Sequence, residues 1–151
     1  MRTRVLPALL CLSFCLAAHA ADVTISNAWI RASVQGQTST GAFMTLTARE
    51  PLVLTGATTP VAGVAEVHEM RMDGDVMRMR AVENGLPLPP GKPVELRPGS
   101  YHIMLTGLKT QLQPRTSVPL TLSFRNAAGS VSNVQLSVPV AAMAPAAAVK
   151  P

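Results

Sequence analysis

Two histidines, His68 and His102, and five methionines, Met70, Met72, Met77, Met79 and Met104, share one stretch of this 151-residue chain. Both cysteines, Cys11 and Cys15, lie in the apolar N-terminal segment, so the remainder offers imidazole and thioether but no thiolate. Such a donor set suits a soft, thiophilic ion, and among biological metals that points to Cu(I).

Spacing turns composition into geometry. Residues 64–72 and 76–82 have the apolar and alternating character of strands, and Asp73-Gly74 between them is a strong two-residue hairpin signal, because both turn positions favour positive φ. That turn predicts a register with Met72 opposite Asp75, Met70 opposite Met77 and His68 opposite Met79. Directly opposed side chains share a face with Cβ atoms roughly 4.5–5.5 Å apart. Alternation puts residues 68, 70, 72, 77 and 79 on that face and Arg71, Arg78 and Arg80 on the other. In a third strand, residues 101–107, His102 and Met104 share a side, and if it faces the hairpin, two nitrogens and two sulfurs converge. The spacing also fits a plainer use, since methionine fills irregular cores and a lone histidine is often structural. Glu69 has the wrong parity to join His68 and is left out of the ligand set.

The elements that must hold these residues begin after residue 20. The opening Met1-Arg2-Thr3-Arg4, the apolar run through Ala18 and the small-x-small triplet Ala18-His19-Ala20 read as a cleavable export signal, residues 1–20. The run is too short for a permanent membrane span, and no later segment is long and apolar enough. Leu12-Ser13-Phe14-Cys15 is a poor lipoprotein signal, because bulky Phe14 precedes the cysteine, so cleavage after Ala20 and a soluble periplasmic protein are expected. Removing Arg2 and Arg4 takes the 13 basic residues to 11 against 8 acidic, a mild excess. With one Trp, one Tyr and dispersed basic residues, the stacking platform and basic stripe of a nucleic-acid binder are missing. Without mature cysteines no disulfide staples the fold, and the remaining length suits one domain with a packed core.

Along the chain, short strands are predicted at residues 22–26 and 28–33, broken near Asn27 and with Trp29 in the core. Further strands are predicted at 41–47, where Phe43 and Met44 take opposite faces and either could border the site, and at 52–57. Residues 83–100 carry five prolines and three glycines, which excludes a regular helix and predicts a stiff extended connection with one edge strand at 94–96. Pro98-Gly99 supplies a turn just before His102. Strands at 117–125 and 130–138 form a last hairpin, with Pro119 near an edge or bulge. Residues 141–151, rich in Ala and Pro, are expected to be a disordered tail. Seven to nine short strands and no amphipathic helix argue an all-β sandwich or barrel, with the domain at residues 21–140.

His68-Glu69-Met70, Val76-Met77-Arg78-Met79-Arg80 and Pro98-Gly99-Ser100-Tyr101-His102-Ile103-Met104-Leu105, in that order, resemble the periplasmic copper chaperone family PCu(A)C. Ala28-Trp29-Ile30-Arg31 is similar to that family too, and the likeness covers most of residues 22–138. The ten residues between His68 and Met79 fit the family spacing, while the 22 between Met79 and His102 are one more than its pattern. The proline-rich connection is where an extra residue can be absorbed. The resemblance implies a cupredoxin-like Greek-key β-sandwich or barrel and a Cu(I) site made by His68, Met79, His102 and Met104. It also implies delivery of copper toward the dinuclear centre of cytochrome c oxidase, to its subunit II directly or through a Sco-type protein. Some relatives hold Cu(II) on a His- and Met-rich tail, but this tail has only Met143, so that second site is not expected.

The rival readings are narrower. An electron-transfer cupredoxin needs a His₂Cys site and no cysteine remains after cleavage. A hydrolase lacks any motif that sets a histidine beside an activated nucleophile, so no enzyme is expected. The remaining alternative is a periplasmic β-sandwich that stores copper or binds a protein through its methionine-rich face.

Overall fold

The computed structural model describes residues 22–146. The expected export signal, residues 1–20, and the end of the tail from residue 147 lie outside the described residues. Ten strands and no helix occur within them: β1 Val23–Arg31, β2 Ser39–Ala48, β3 Leu52–Thr58, β4 Ala62–Asp73, β5 Val76–Ala81, β6 Leu86–Leu88, β7 Pro93–Leu96, β8 His102–Leu108, β9 Ser117–Asn126 and β10 Val131–Ala141.

Hydrogen bonding runs in the order β5-β4-β8-β2-β1-β10-β9-β3-β6, with β7 also against β2. Only Ile30↔Val140 and Arg31↔Ala141, a short parallel pairing of β1 with β10, join the two halves of this path. The halves face each other across one core, in which Ile30, Met44, Leu46, Ile103 and Leu105 of the first half meet Leu54, Leu120, Leu122, Phe124 and Val138 of the second. Each fully buried side chain of this size is worth about 1.5–3 kcal/mol. That layer must carry stability in a domain whose described residues contain no cysteine.

Several local departures from the sequence expectation have simple causes. The two strands expected around Asn27 are one strand, β1, with a bulge between Ser26 and Trp29. Asn27 takes φ +53° there, a left-handed conformation that asparagine tolerates better than most residues. The proline-rich connection holds two strands rather than one. Leu86 and Leu88 of β6 are buried and pair with β3 while Pro87 between them is exposed, an arrangement open to proline because β6 is the sheet's edge. Pro119 sits beyond the last β3–β9 pair, Thr58↔Thr121, and its carbonyl accepts a hydrogen bond from the Thr59 hydroxyl at 2.7 Å. Ala141 closes β10, and Ala144 to Ala146 border a groove beside Trp29.

The hairpin register differs from the expected one by two residues. Asp73 pairs with Val76, so the loop is Gly74-Asp75 rather than Asp73-Gly74. Gly74 supplies the positive φ, +63°. Asp73 remains in the strand, where its carboxylate accepts from Arg78 at 3.0 Å and lies 3.6 Å from Arg80. Met72 is therefore opposite Met77, Met70 opposite Met79, and His68 opposite Ala81. A slip of two keeps every side chain on its face, so the methionine and arginine faces stand as expected while the partners across the ladder change.

Candidate metal centre

Strands β4 and β8 carry alternating burial that assigns one face to the core and the other to the site. Val67 pairs with Ile103 and both are buried, while His68 pairs with His102 and Glu66 with Met104 on the opposite face. β2 extends that outer face, because Gly41 lies opposite Met104. β5 adds Met79 from the other edge. The result is an open cleft of about 300 Å³ lined by Met70, Met79, His102 and Met104, with Phe43 and Arg31 among its walls.

His102 is the best-defined donor. Its Nδ1–H donates to the Ser100 carbonyl at 3.2 Å, and the same carbonyl accepts the Met70 amide, also at 3.2 Å. A carbonyl oxygen only accepts, so the neutral ring carries its proton on Nδ1 and keeps a lone pair on Nε2. That Nε2 lies 3.2 Å from the Met79 sulfur. Imidazole nitrogen and thioether sulfur thus face each other as two lone-pair donors, an arrangement that a soft cation satisfies. Burial draws His102 below the usual histidine range; the Ser100 hydrogen bond opposes this, and nearby His68 and Arg31 reinforce it. The neutral, ligating form is favoured.

His68 repeats the pattern. Its Nε2–H donates to the Glu66 carboxylate at 3.2 Å, and its Nδ1 is buried without a hydrogen-bond partner. Its ring centroid is 5.9 Å from that of His102. An orphaned buried nitrogen ordinarily costs about 1–3 kcal/mol, and a bound metal ion would repay it. Each imidazole therefore has one nitrogen held by an outer partner and one free, as metal-binding histidines do. Among the described residues no three of His, Cys, Asp and Glu gather as a ligand set, so two imidazoles need thioethers to complete a centre. That chemistry fits Cu(I) and fits Zn(II) poorly.

Of the four residues expected from the sequence, Met79, His102 and Met104 line the cleft, while His68 is not among its lining residues and stands beside His102 on β4. Met79 meets His102 rather than standing opposite His68, because of the hairpin register. Glu69 lies on the other face, 3.7 Å from Arg71, and takes no part. Two contributors were not foreseen: Glu66, whose even parity with His68 was a usable signal, and Ser100, which acts through its backbone and leaves no side-chain signal; Met70, placed on this face by alternation, lines the cleft. Trp29 is buried at 5% exposure but belongs to the outer layer and not to the central core. It packs on Phe43 at 4.7 Å between centroids, Phe43 lies 6.3 Å from His102, and the Arg31 guanidinium covers both Trp29 and Phe43. Gly41 makes this wall possible: a Cβ there would come within 2.8 Å of the Phe43 ring. Met44 points instead into the core.

The family model described as "Putative lipoprotein LpqE-like" matches residues 23–140. A relative from Leifsonia xyli subsp. xyli (strain CTCB07), "Putative lipoprotein Lxx21020", is 33% identical over 120 residues, 80% of this chain and 71% of the relative. Among solved structures, the copper-bound PCuAC domain from PmoF2 has a TM-score of 0.65 at 23% identity, covering 83% of this chain and 97% of that one. The solution structure of CuI-DR1885 from Deinococcus radiodurans has a TM-score of 0.62 at 28% identity, covering 83% and 82%. The apo PCuAC domain from PmoF1 has a TM-score of 0.66 at 19% identity, covering 83% and 98%. At 19% and 23% the likeness speaks for the fold alone, and that fold is the all-β, cupredoxin-like one. Matched over residues 23–140, from strand β1 into β10, this chain belongs to the LpqE-like family, with the fold of the PCuAC domains.

Proposed function

We propose that this protein is an exported Cu(I) chaperone, cleaved after Ala20, that carries one Cu(I) on His68, Met79, His102 and Met104. It delivers that ion toward the dinuclear copper centre of cytochrome c oxidase, through a Sco-type protein or directly to subunit II. The observation that carries the reading is the His102 Nε2 facing the Met79 sulfur at 3.2 Å while Nδ1 is committed to Ser100. Two solved structures similar in fold, the copper-bound PCuAC domain from PmoF2 and CuI-DR1885, support it by their own cargo.

The donor set explains both capture and release. Neutral imidazoles and thioethers bind a soft ion without the negative charge that would lock it in. Met79 is 45% exposed, so a thiolate from an acceptor reaches the ion from the solvent side and displaces thioether, then imidazole. The ion remains Cu(I), and no electron moves. Arg31, Phe43 and Trp29 close the opposite side and keep the His102 ring in place.

Titration of the mature protein with Cu(I) against a competing chelator tests the reading. One equivalent should bind, with little affinity for Zn(II); equal or tighter zinc binding overturns the thioether site. Mixing the loaded protein with an apo Sco-type protein or a soluble subunit II domain then separates delivery from storage. Retention of copper in that mixture would make the protein a copper store.

A further inference from the structure

On the hairpin, strands β4 and β5 place Met70 opposite Met79 and Met72 opposite Met77. These are two consecutive rungs on one face, and thioethers are the only polar-atom donors on them. The first rung lines the cleft with His102 and Met104. The second lies at the hairpin tip beside the Gly74-Asp75 loop. Directly opposed Cβ atoms are roughly 4.5–5.5 Å apart, and each sulfur stands two bonds beyond its Cβ on a flexible side chain, so sulfurs of one rung can meet on a common ion.

Packing does not account for the outer rung. Met72 is 59% and Met77 49% exposed, and every residue of β5 is exposed. The reverse face of the hairpin carries Glu69, Arg71, Asp73, Arg78 and Arg80, with Arg71 beside Glu69 and both Arg78 and Arg80 on Asp73, and a single exposed apolar residue, Val76, opposite Asp73. No core lies against either face near the tip. An edge hairpin needs only polar residues for solubility, and here the charged residues lie on one side. Methionine on the other side holds no buried position that its flexibility would fill.

We propose a second Cu(I) site on this hairpin, made by the thioethers of Met70, Met72 and Met77, through which the ion passes between the His102–Met79 centre and an acceptor. The proposal rests on the Cu(I) reading of that centre. Met70 stands between the two, since it lines the cleft beside His102 and Met79 and lies one rung from Met72. Passage is an exchange of neutral donors: a copper–sulfur bond to Met70 forms as the copper–nitrogen bond to His102 breaks, and Met72 and Met77 then replace the remaining donors. The metal keeps its oxidation state throughout. The outer site, being thioether alone and exposed, holds the ion more weakly than the mixed centre, as a transfer position requires.

Ag(I), a soft monovalent ion inert to oxidation, is the probe. It is titrated into the mature protein carrying ¹³C-methyl methionine, with shifts read at each methyl group. Two equivalents should bind, the second moving the Met72 and Met77 methyls. The Met72→Leu/Met77→Leu double variant, close in volume and at exposed positions, should bind one equivalent with unchanged affinity and release Cu(I) to a thiol chelator more slowly. A wild type that stops at one equivalent, with Met72 and Met77 unmoved, overturns the second site. Two equivalents with an unchanged release rate in the double variant overturn its role in passage. His102→Ala separates this from failure of the first centre: it should lose one equivalent and still move Met72 and Met77. If it titrates like wild type and only the hairpin methyls move, the imidazole centre is what fails.

Discussion

Lowering the pH should weaken Cu(I) binding in a way that counts the imidazoles. Nitrogen donates to copper only when unprotonated, whereas thioether sulfur does not titrate in the accessible range, so protons compete at His68 and His102 alone. An ordinary histidine titrates near pH ~6.5, and burial draws His102 below that range despite its hydrogen bond to Ser100. Affinity should be flat above neutrality. As pH falls, the loss should approach about tenfold per unit when one imidazole is protonated in the apo protein and about hundredfold per unit once both are. Because burial draws the folded His102 pKa below its unfolded value, its share enters below the ordinary histidine range. The same sign governs the apo fold: the unfolded chain binds the proton first, so stability falls as pH drops from about 6.5 through the lowered His102 pKa. Chelator competition from about pH 8 to about pH 5 brackets the histidine range and reads the slope. His102→Met should lose one proton's worth of slope and still bind copper. An affinity independent of pH across that range would refute coordination by either histidine.

Three further outcomes test the parts separately. Met79→Ala and His68→Ala should each lower Cu(I) affinity beyond the ~10–100-fold that loss of an outer partner typically costs, while Arg78→Ala, on the reverse face, leaves it unchanged in the same competition assay. Glu66→Gln should weaken binding by about tenfold, the low end of that outer-partner range, because the carboxylate holding His68 Nε2 is half exposed; unchanged affinity would remove Glu66 from the site. Intact mass of the exported protein should correspond to a chain beginning at Ala21. A chain beginning at Cys15 with attached acyl groups would show instead that this protein is anchored by lipid.

How far the sequence carries follows from what a period of two can encode. Alternation makes the faces legible: the sequence sets His102 and Met104 on one side of their strand and His68 with Met70 on one side of theirs, and Val67, Ile103 and Leu105 are buried on the other. Burial of one face punishes a slip of one residue, because it would expose Val67 and bury His68. A slip of two escapes that penalty entirely. The choice between His68 opposite Met79 and Met70 opposite Met79 therefore rests on the turn, where Asp73 is held in the strand by Arg78 and Arg80 and only Gly74 supplies positive φ. Aspartate is favoured both as a turn residue and as an ion-pair partner, and the dipeptide does not distinguish the two uses. Trp29 was legible as buried but not as to its side, because a large apolar side chain indicates burial and not which face of the sheet supplies it. Its cover is Phe43 and an arginine, with room made by a missing Cβ at Gly41.

The ligand geometry is accordingly decided at some distance from the ligands. Ile103 beside Val67 fixes how β8 lies against β4, and this alone sets His102 opposite His68. Ser100 adds the second restraint, since one carbonyl accepts both the Met70 amide of β4 and the His102 ring. Because the acceptor is backbone, side-chain substitution at Ser100 leaves it in place, and what the site requires is the turn before it. Arg97 to Ser100 closes with the Ser100 amide donating to the Arg97 carbonyl at 3.0 Å, and Gly99 takes φ +81°. That is the third position of a proline-led type II turn, where a side chain is strained. The proline-rich connection thus does more than span a gap: by ending in Pro98-Gly99 it presents the carbonyl that holds His102 in the tautomer with Nε2 free toward Met79.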